Sequence, residues 1–177
     1  MFTFQTDIQY GKGPASSLFL STDTPKPTPQ PGQALVQVKC FGLNHMDLTQ
    51  RNGNYQVLPQ AGSILGVEFS GAISSFGDSD LEREEFKIGD EVFGLAYGGN
   101  ILSSLVFLVA NSVMLGAYAE YVAVATKMLI HKPRSMTWET ATAVPETWIT
   151  ATQAMSLISG SRPVNRFSGT QVPHLFP

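Results

Sequence analysis

Asn44, His45, Met46 and Asp47, entered through Gly42-Leu43, bring an amide, an imidazole and a carboxylate together within four residues. Burying that many polar groups in a strand interior costs about 1–3 kcal/mol for each one left unpaired, so the run reads as a loop or short helix beside a cleft. Asn44 can donate and accept hydrogen bonds from one planar group; taken alone, it would be a turn asparagine bonding its own loop. Asp47 fits fixing that loop through backbone hydrogen bonds better than abstracting protons. Cys40 is the single cysteine. An internal disulfide and a multi-cysteine metal site are therefore excluded, and its place in an alternating run predicts a buried small hydrophobe. His131 and His174 stand at a strand end and in the tail, each without a partner nearby in sequence.

The polar cluster follows a strand expected over residues 34–40, where Val36, Val38 and Cys40 alternate with Gln37 and Lys39, the period of a half-buried strand. Upstream, β-leaning runs at 1–8 and 17–21 flank the turn Gly11-Lys12-Gly13-Pro14 and predict a first hairpin or edge. Pro25, Pro27, Pro29 and Pro31, closed by Gly32, make an extended connector. A PxxP ligand is the alternative, disfavoured by its place between two strands. Residues 65–75 predict a strand through Val67, Phe69 and Ile73, with Gly66 and Gly71 where it must bend or pack closely. Residues 79–87 form a charged surface segment ahead of a turn into a strand at 88–93. A strand at 117–125 and a short apolar run at 128–131 follow. Thr137 is placed to cap a short helix through Trp138, Glu139 and Thr140 that ends at Pro145. Trp148, Ala151, Met155 and Ile158 then share one face of a second helix, with Gly160 as its stop.

The chain has 177 residues, 43% of them hydrophobic, and a formal net charge of −3. That length supports one domain with its own core. The charge and the lack of a local Lys/Arg cluster exclude a nucleic-acid interface. No basic segment leads into an apolar stretch at the start, so no secretory signal is expected and the cytoplasm is the expected location.

The run G-L-N-H-M-D-L-x-Q-R-x-G-x-Y, followed by P-x-x-G-S-I-L-G-V-E-F-S-G, resembles the substrate-side half of the medium-chain dehydrogenase/reductase superfamily, in its zinc-free quinone oxidoreductase and enoyl reductase branch. The likeness covers most of residues 1–99. It resumes at Gly116, through A-Y-A-E-Y-V and H-K-P-x-x-M-T-W-E-T-A, and reaches P-E-T-W-I-T-A-x-Q-A near Ala154. It implies a GroES-like catalytic domain over residues 1–158, mainly β with a few helices and built as a partly open β-barrel, without the Rossmann domain that normally continues it and binds NADPH. The resemblance places Asn44 beside the nicotinamide as a catalytic and cofactor-binding residue, and Thr150 facing the cofactor carboxamide. Tyr55 would hydrogen-bond a substrate carbonyl or supply a proton; its alternative is a partly buried aromatic with a wet hydroxyl. His45 occupies a position where relatives tolerate other residues and is read as solvent-facing. The zinc-dependent branch has Cys where this chain has Asn44, and a G-H-E triplet where it has Gly66-Val67-Glu68. With two expected ligands replaced and about three needed for catalytic zinc, no metal is expected, and Glu68 becomes a structural hydrogen-bonding residue.

Residues 100–115, NILSSLVFLVANSVML, interrupt the family pattern; without them the chain reads L-A-Y-G-G-A-Y-A-E-Y-V. The segment falls short of the roughly 18–20 apolar residues that span a bilayer, and a GroES-like barrel has no vacant core to take a buried helix. A retained intron explains the position better. Gly99-Asn100 is compatible with a GT donor, Ala110-Asn111 with a CTAAC branch sequence, and Leu115-Gly116 with an AG acceptor. The tail 159–177 has no periodicity and is expected to be disordered and aberrant. By resemblance, the function is NADPH-dependent hydride transfer to a quinone or an α,β-unsaturated carbonyl (enone). Full-length relatives are often homo-oligomers. The chain alone is expected to be inactive and to bind NADPH little, because no glycine-rich strand-turn-helix is present. The alternative is a non-catalytic GroES-like interaction module or a truncated gene-model product. Deleting residues 100–115 while keeping both flanking glycines is expected to raise soluble yield and melting temperature, since an apolar insertion of this size promotes aggregation. Parallel thermal melts check this, and an intact chain that is more soluble and equally cooperative contradicts it.

Overall fold

The computed structural model describes residues 4–10, 12–54, 64–77, 85–96 and 116–158. The expectations for Tyr55, the insertion at 100–115 and the tail at 159–177 fall outside the described residues. Within them the chain is mainly β, with every strand pair antiparallel. Strands β1 (Phe4–Tyr10) and β2 (Leu18–Pro25) form the first hairpin. Five strands make the main sheet: β3 (Gln33–Phe41), β4 (Glu68–Phe76), β5 (Glu91–Leu95), β6 (Tyr121–Ala125) and β7 (Leu129–His131), in the order β6-β3-β4-β5-β7. The hairpin joins this body through the bridges Asp7 to Ala119 and Gln9 to Ile64, and the Ile8 N–H donates to the Tyr118 carbonyl at 2.8 Å. The two antiparallel sheets are thus connected through the segments that lead into β4 and β6.

Strand β3 lies inside the sheet, between β6 and β4, and its first half is apolar on both faces: Ala34 and Val36 are fully buried and Leu35 nearly so. It pairs with β6 through Val36 opposite Val122, and with β4 through Val36 opposite Ile73. Its pairing with β4 shifts register between Leu35 and Val36 and again between Val38 and Cys40, irregularities that bend a strand and sharpen its twist. The core gathers Val36, Phe69, Ile73, Phe86, Val92 and Val122.

Several boundaries differ from the sequence reading. Strand β4 begins only at Glu68, because Gly66 turns the chain at φ 98°. The expected strand at 117–125 is regular only from Tyr121. Phe86, read as part of a charged surface segment, is 2% exposed and stacks on the His131 ring at 4.6 Å. Cys40 is half-buried rather than buried, because the face of β3 it occupies opens onto a cleft.

Helix α1 (His45–Arg51) follows β3 directly. Helix α2 (Trp138–Thr142) starts where Thr137 accepts the Thr140 N–H at 3.2 Å. It docks on β4 through a polar relay: the Thr142 hydroxyl bonds Ser70 Oγ at 2.7 Å and approaches the Cys40 carbonyl at 3.2 Å, while Ser70 donates to the Trp138 carbonyl at 2.8 Å. Pro145 does not end helical structure. It is buried in the first turn of a wider π-helical segment, Val144–Trp148, where its missing N–H costs little. The path continues through α3 (Ile149–Thr152) and a second π-helical stretch, Gln153–Ile158. Trp148 and Met155, expected on one face of a second helix, are 65% and 46% exposed. Thr142→Val keeps the shape but removes the hydroxyl that couples α2 to two strands. It is expected to cost about 1–3 kcal/mol, measurable by urea unfolding as a lower midpoint with an unchanged slope.

Candidate functional site

Asn44 sits in extended backbone, φ −122° and ψ 152°, as the N-cap of α1. Its N–H donates to Asp47 Oδ2 at 2.7 Å, the third-residue carboxylate reaching back as in a capping box. The same oxygen accepts the Tyr118 hydroxyl at 2.7 Å, so Asp47, 4% exposed, ties the loop to the segment entering β6. Asp47 is thus a loop-fixing residue, as its short carboxylate suggested. Gly66 makes room for this contact: a β-carbon there would collide with the Tyr118 ring, and its φ of 98° disfavours any other residue. The Tyr118 ring packs against Phe41 at 4.5 Å.

The Asn44 side chain turns the other way. Its Nδ2 donates to Glu68 Oε1 at 2.9 Å, and Glu68 Oε2 accepts the backbone N–H of Glu146 at 2.9 Å. Glu68 is 2% exposed. With Cys40, Gly42, Leu43, Thr142 and Thr147 it lines a cleft of about 470 Å³ beside Asn44. Burial and then the nearby Glu139 carboxylate raise the Cys40 thiol above its ordinary pKa, which keeps it protonated rather than nucleophilic. Thr150 stands exposed on α3, three residues beyond Thr147, and does not line the cleft. The structure therefore brings Asn44 and the start of the segment leading to Thr150 together on Glu68, and neither Asn44 nor Thr150 is among the residues that line the cleft. His45 is exposed. Among the described residues no three His, Cys, Asp or Glu side chains converge in a way that could hold a metal ion.

Tyr118 was not singled out by sequence reasoning. Its one signal is its place in A-Y-A-E-Y-V, where two tyrosines look alike, and its hydrogen-bond partner lies 71 positions away. Burial, followed by the hydrogen bond to Asp47 and the charges of Asp47 and Glu68, pushes its phenol well above the ordinary tyrosine range. It therefore acts as a fixed donor and not as a proton source. A raised folded-state pKa means that the stabilisation from protonated Tyr118 is fully present below the unfolded value of about 10 and is lost as pH rises above it. Tyr118→Phe is expected to lower stability by about 1–3 kcal/mol at neutral pH, with the gap to wild type narrowing above about pH 10. Denaturant melts at several pH values check the sign, and ultraviolet titration of the five tyrosines should show one that ionises late only in the wild type.

Residues 30–134 match the family of the alcohol dehydrogenase GroES-like domain. The chain is 33% identical over 138 residues to trans-enoyl reductase iccB of Talaromyces variabilis, covering 73% of this chain and 33% of that protein. Among solved structures it is similar to the quinone oxidoreductase from Coxiella burnetii, with 29% identity, a TM-score of 0.72, and coverage of 89% of this chain and 46% of the other. It is also similar to the human synaptic vesicle membrane protein VAT-1 homolog-like protein, with 26% identity, a TM-score of 0.73, and coverage of 92% and 45%. The chain spans about a third of the length of the first of these and under half of the two solved structures. With the matched segment running from before β3 through the strand that ends at His131, the chain belongs to the alcohol dehydrogenase GroES-like domain family of the medium-chain dehydrogenase/reductase superfamily.

Proposed function

We propose that these residues form the substrate side of a zinc-independent, NADPH-dependent oxidoreductase that reduces an α,β-unsaturated carbonyl or a quinone. The observation that carries the reading is the Asn44 amide, held by Glu68 beside the cleft where the zinc branch has a metal ligand. Its relatives' names, enoyl reductase and quinone oxidoreductase, support the substrate class. NADPH, when bound, supplies the hydride. The protein's share is to orient the nicotinamide against the substrate and to stabilise negative charge that develops on oxygen.

Each residue has a separate part in that scheme. Asn44 keeps one amide N–H beyond its bond to Glu68, with no partner among the described residues, and so fits a carbonyl or carboxamide oxygen. Tyr55 would donate to the substrate oxygen, and Thr150 would meet the cofactor carboxamide once the cofactor-binding half of the enzyme is present. The exposed Trp148, Ile149 and Met155 next to Thr150 suit a segment that is covered in the complete enzyme. A cytoplasmic location belongs to the same proposal; among the described residues no helix is long and apolar enough to cross a membrane.

Among the described residues no closely spaced glycines open an amphipathic helix after a strand. NADPH is therefore expected to bind this polypeptide only weakly on its own, because the pyrophosphate would lack its usual amide cradle. Joined to the cofactor half of an enoyl reductase, the chain is expected to oxidise NADPH in the presence of an enone or quinone, and Asn44→Ala is expected to lower kcat by about 10²–10³-fold, the usual cost of removing one preorganised donor. Absorbance at the nicotinamide band reports turnover. A chimera that folds and turns over equally well with Asn44→Ala, or micromolar NADPH affinity for the isolated chain by calorimetry, overturns the reading.

A further inference from the structure

Glu68 is a buried carboxylate that forms no salt bridge among the described residues, where the ion pairs are His131 with Asp90 and Lys132 with Glu91. Removing such a charge from water costs several kcal/mol unless donors replace the lost hydration. Two neutral groups do so, one on each oxygen: Asn44 Nδ2 and the Glu146 N–H, from segments 24 positions before it and 78 positions after it. Gly42 closes the third side, since a β-carbon there would collide with Glu68 Oε1 and crowd its Cγ and Cδ. The carboxylate is thus wedged between one glycine and two donors.

That arrangement decides the orientation of Asn44. An ionised carboxylate only accepts, so the amide must turn its nitrogen toward Glu68. The second N–H is then the donor left for a ligand. The other oxygen holds the first turn of the helical path that leads to Thr150. We propose that Glu68 is the positioning residue of the site: one carboxylate fixes the donor face of Asn44 and, through the Glu146 N–H, the start of the segment bearing Thr150. The identity of the ligand, NADPH with its carbonyl partner, rests on the oxidoreductase reading; the positioning role does not.

Hydrogen exchange on the full ¹⁵N-labelled chain tests it without turnover. In Glu68→Gln a single acceptor oxygen replaces two, so both contacts cannot survive. Exchange at the Glu146 backbone N–H, the Asn44 side-chain amide, or both is expected to speed up about tenfold, the equivalent of one charge-assisted hydrogen bond, while the amides of Val92 and Phe93 in β5 keep their rates. Gly42→Ala displaces the same carboxylate without changing charge and is expected to produce the same local pattern. Unchanged exchange at both sites in either variant overturns the proposal. So does a uniform acceleration that includes β5, which marks Glu68 as a general stability residue. Titration with NADPH separates this inference from the functional reading. Made on the chimera that carries the cofactor half, this titration removes NADPH as the ligand, and leaves the positioning role supported, if the Asn44 amide keeps its dependence on Glu68 but shows no shift with NADPH.

Discussion

Three carboxylates, Asp7, Asp47 and Glu68, lie under the surface of this β-rich body with no Lys or Arg paired to them among the described residues, and the last two border the site. A buried carboxylate is costly unless hydrogen-bond donors meet it; Asp7 and Asp47 Oδ1 have none among the described residues, whereas both Glu68 oxygens and Asp47 Oδ2 are met by donors from three stretches far apart in sequence. Residues 42–47 give the Asn44 N–H and Nδ2, residues 116–118 give the Tyr118 hydroxyl, and residues 144–148 give the Glu146 N–H. The glycines at 42 and 66 are required by the same demand, because each stands where a β-carbon would push a donor or an acceptor out of reach. Glu68 and one oxygen of Asp47 thereby place the loop, the strand entry and the helical path together.

The parts of this structure legible in the sequence were those governed by local period or local chemistry. Val36, Val38 and Cys40 alternate as a strand should, and β3 forms there. Thr137 has the side chain and spacing of a cap, and it caps α2. Asp47, three residues after Asn44, bonds back to it. The misreadings arise where the deciding contact is remote. Phe86 is one aromatic ring among charges, yet it joins the core with Val36, Phe69 and Val92, and His131, 45 positions later, stacks on it. Cys40 continues a regular alternation, yet the second half of β3 borders the cleft. Nothing local distinguishes Tyr118 from Tyr121; one hydroxyl is buried on Asp47 and the other meets Gln37 at 3.4 Å at the surface.

The helical path after α2 shows a different limit. A face of Trp148, Ala151, Met155 and Ile158 assumes 3.6 residues per turn, whereas the segments Val144–Trp148 and Gln153–Ile158 are wound wider. Pro145 contributes to this, since it cannot donate to a regular ladder and the next N–H, from Glu146, is taken by Glu68. The local pattern of apolar residues set these side chains on one face, and among the described residues Trp148 and Met155 are exposed.

The contrast with a zinc site follows from how the lone pairs are used. A metal centre needs several donor atoms with free lone pairs aimed at one point. Here the groups occupying the corresponding sequence positions face each other instead: the Asn44 nitrogen carries hydrogens and points at Glu68, and the two Glu68 oxygens are each engaged by an N–H. Val67, at the position of the zinc branch's histidine, is 5% exposed and contributes only apolar surface. Replacing Cys by Asn at one position and His by Val at another thus changes more than the ligand count. It converts an acceptor-rich pocket that would attract a cation into a self-paired network whose remaining free group is a donor, and a donor is what an electron-rich carbonyl oxygen requires.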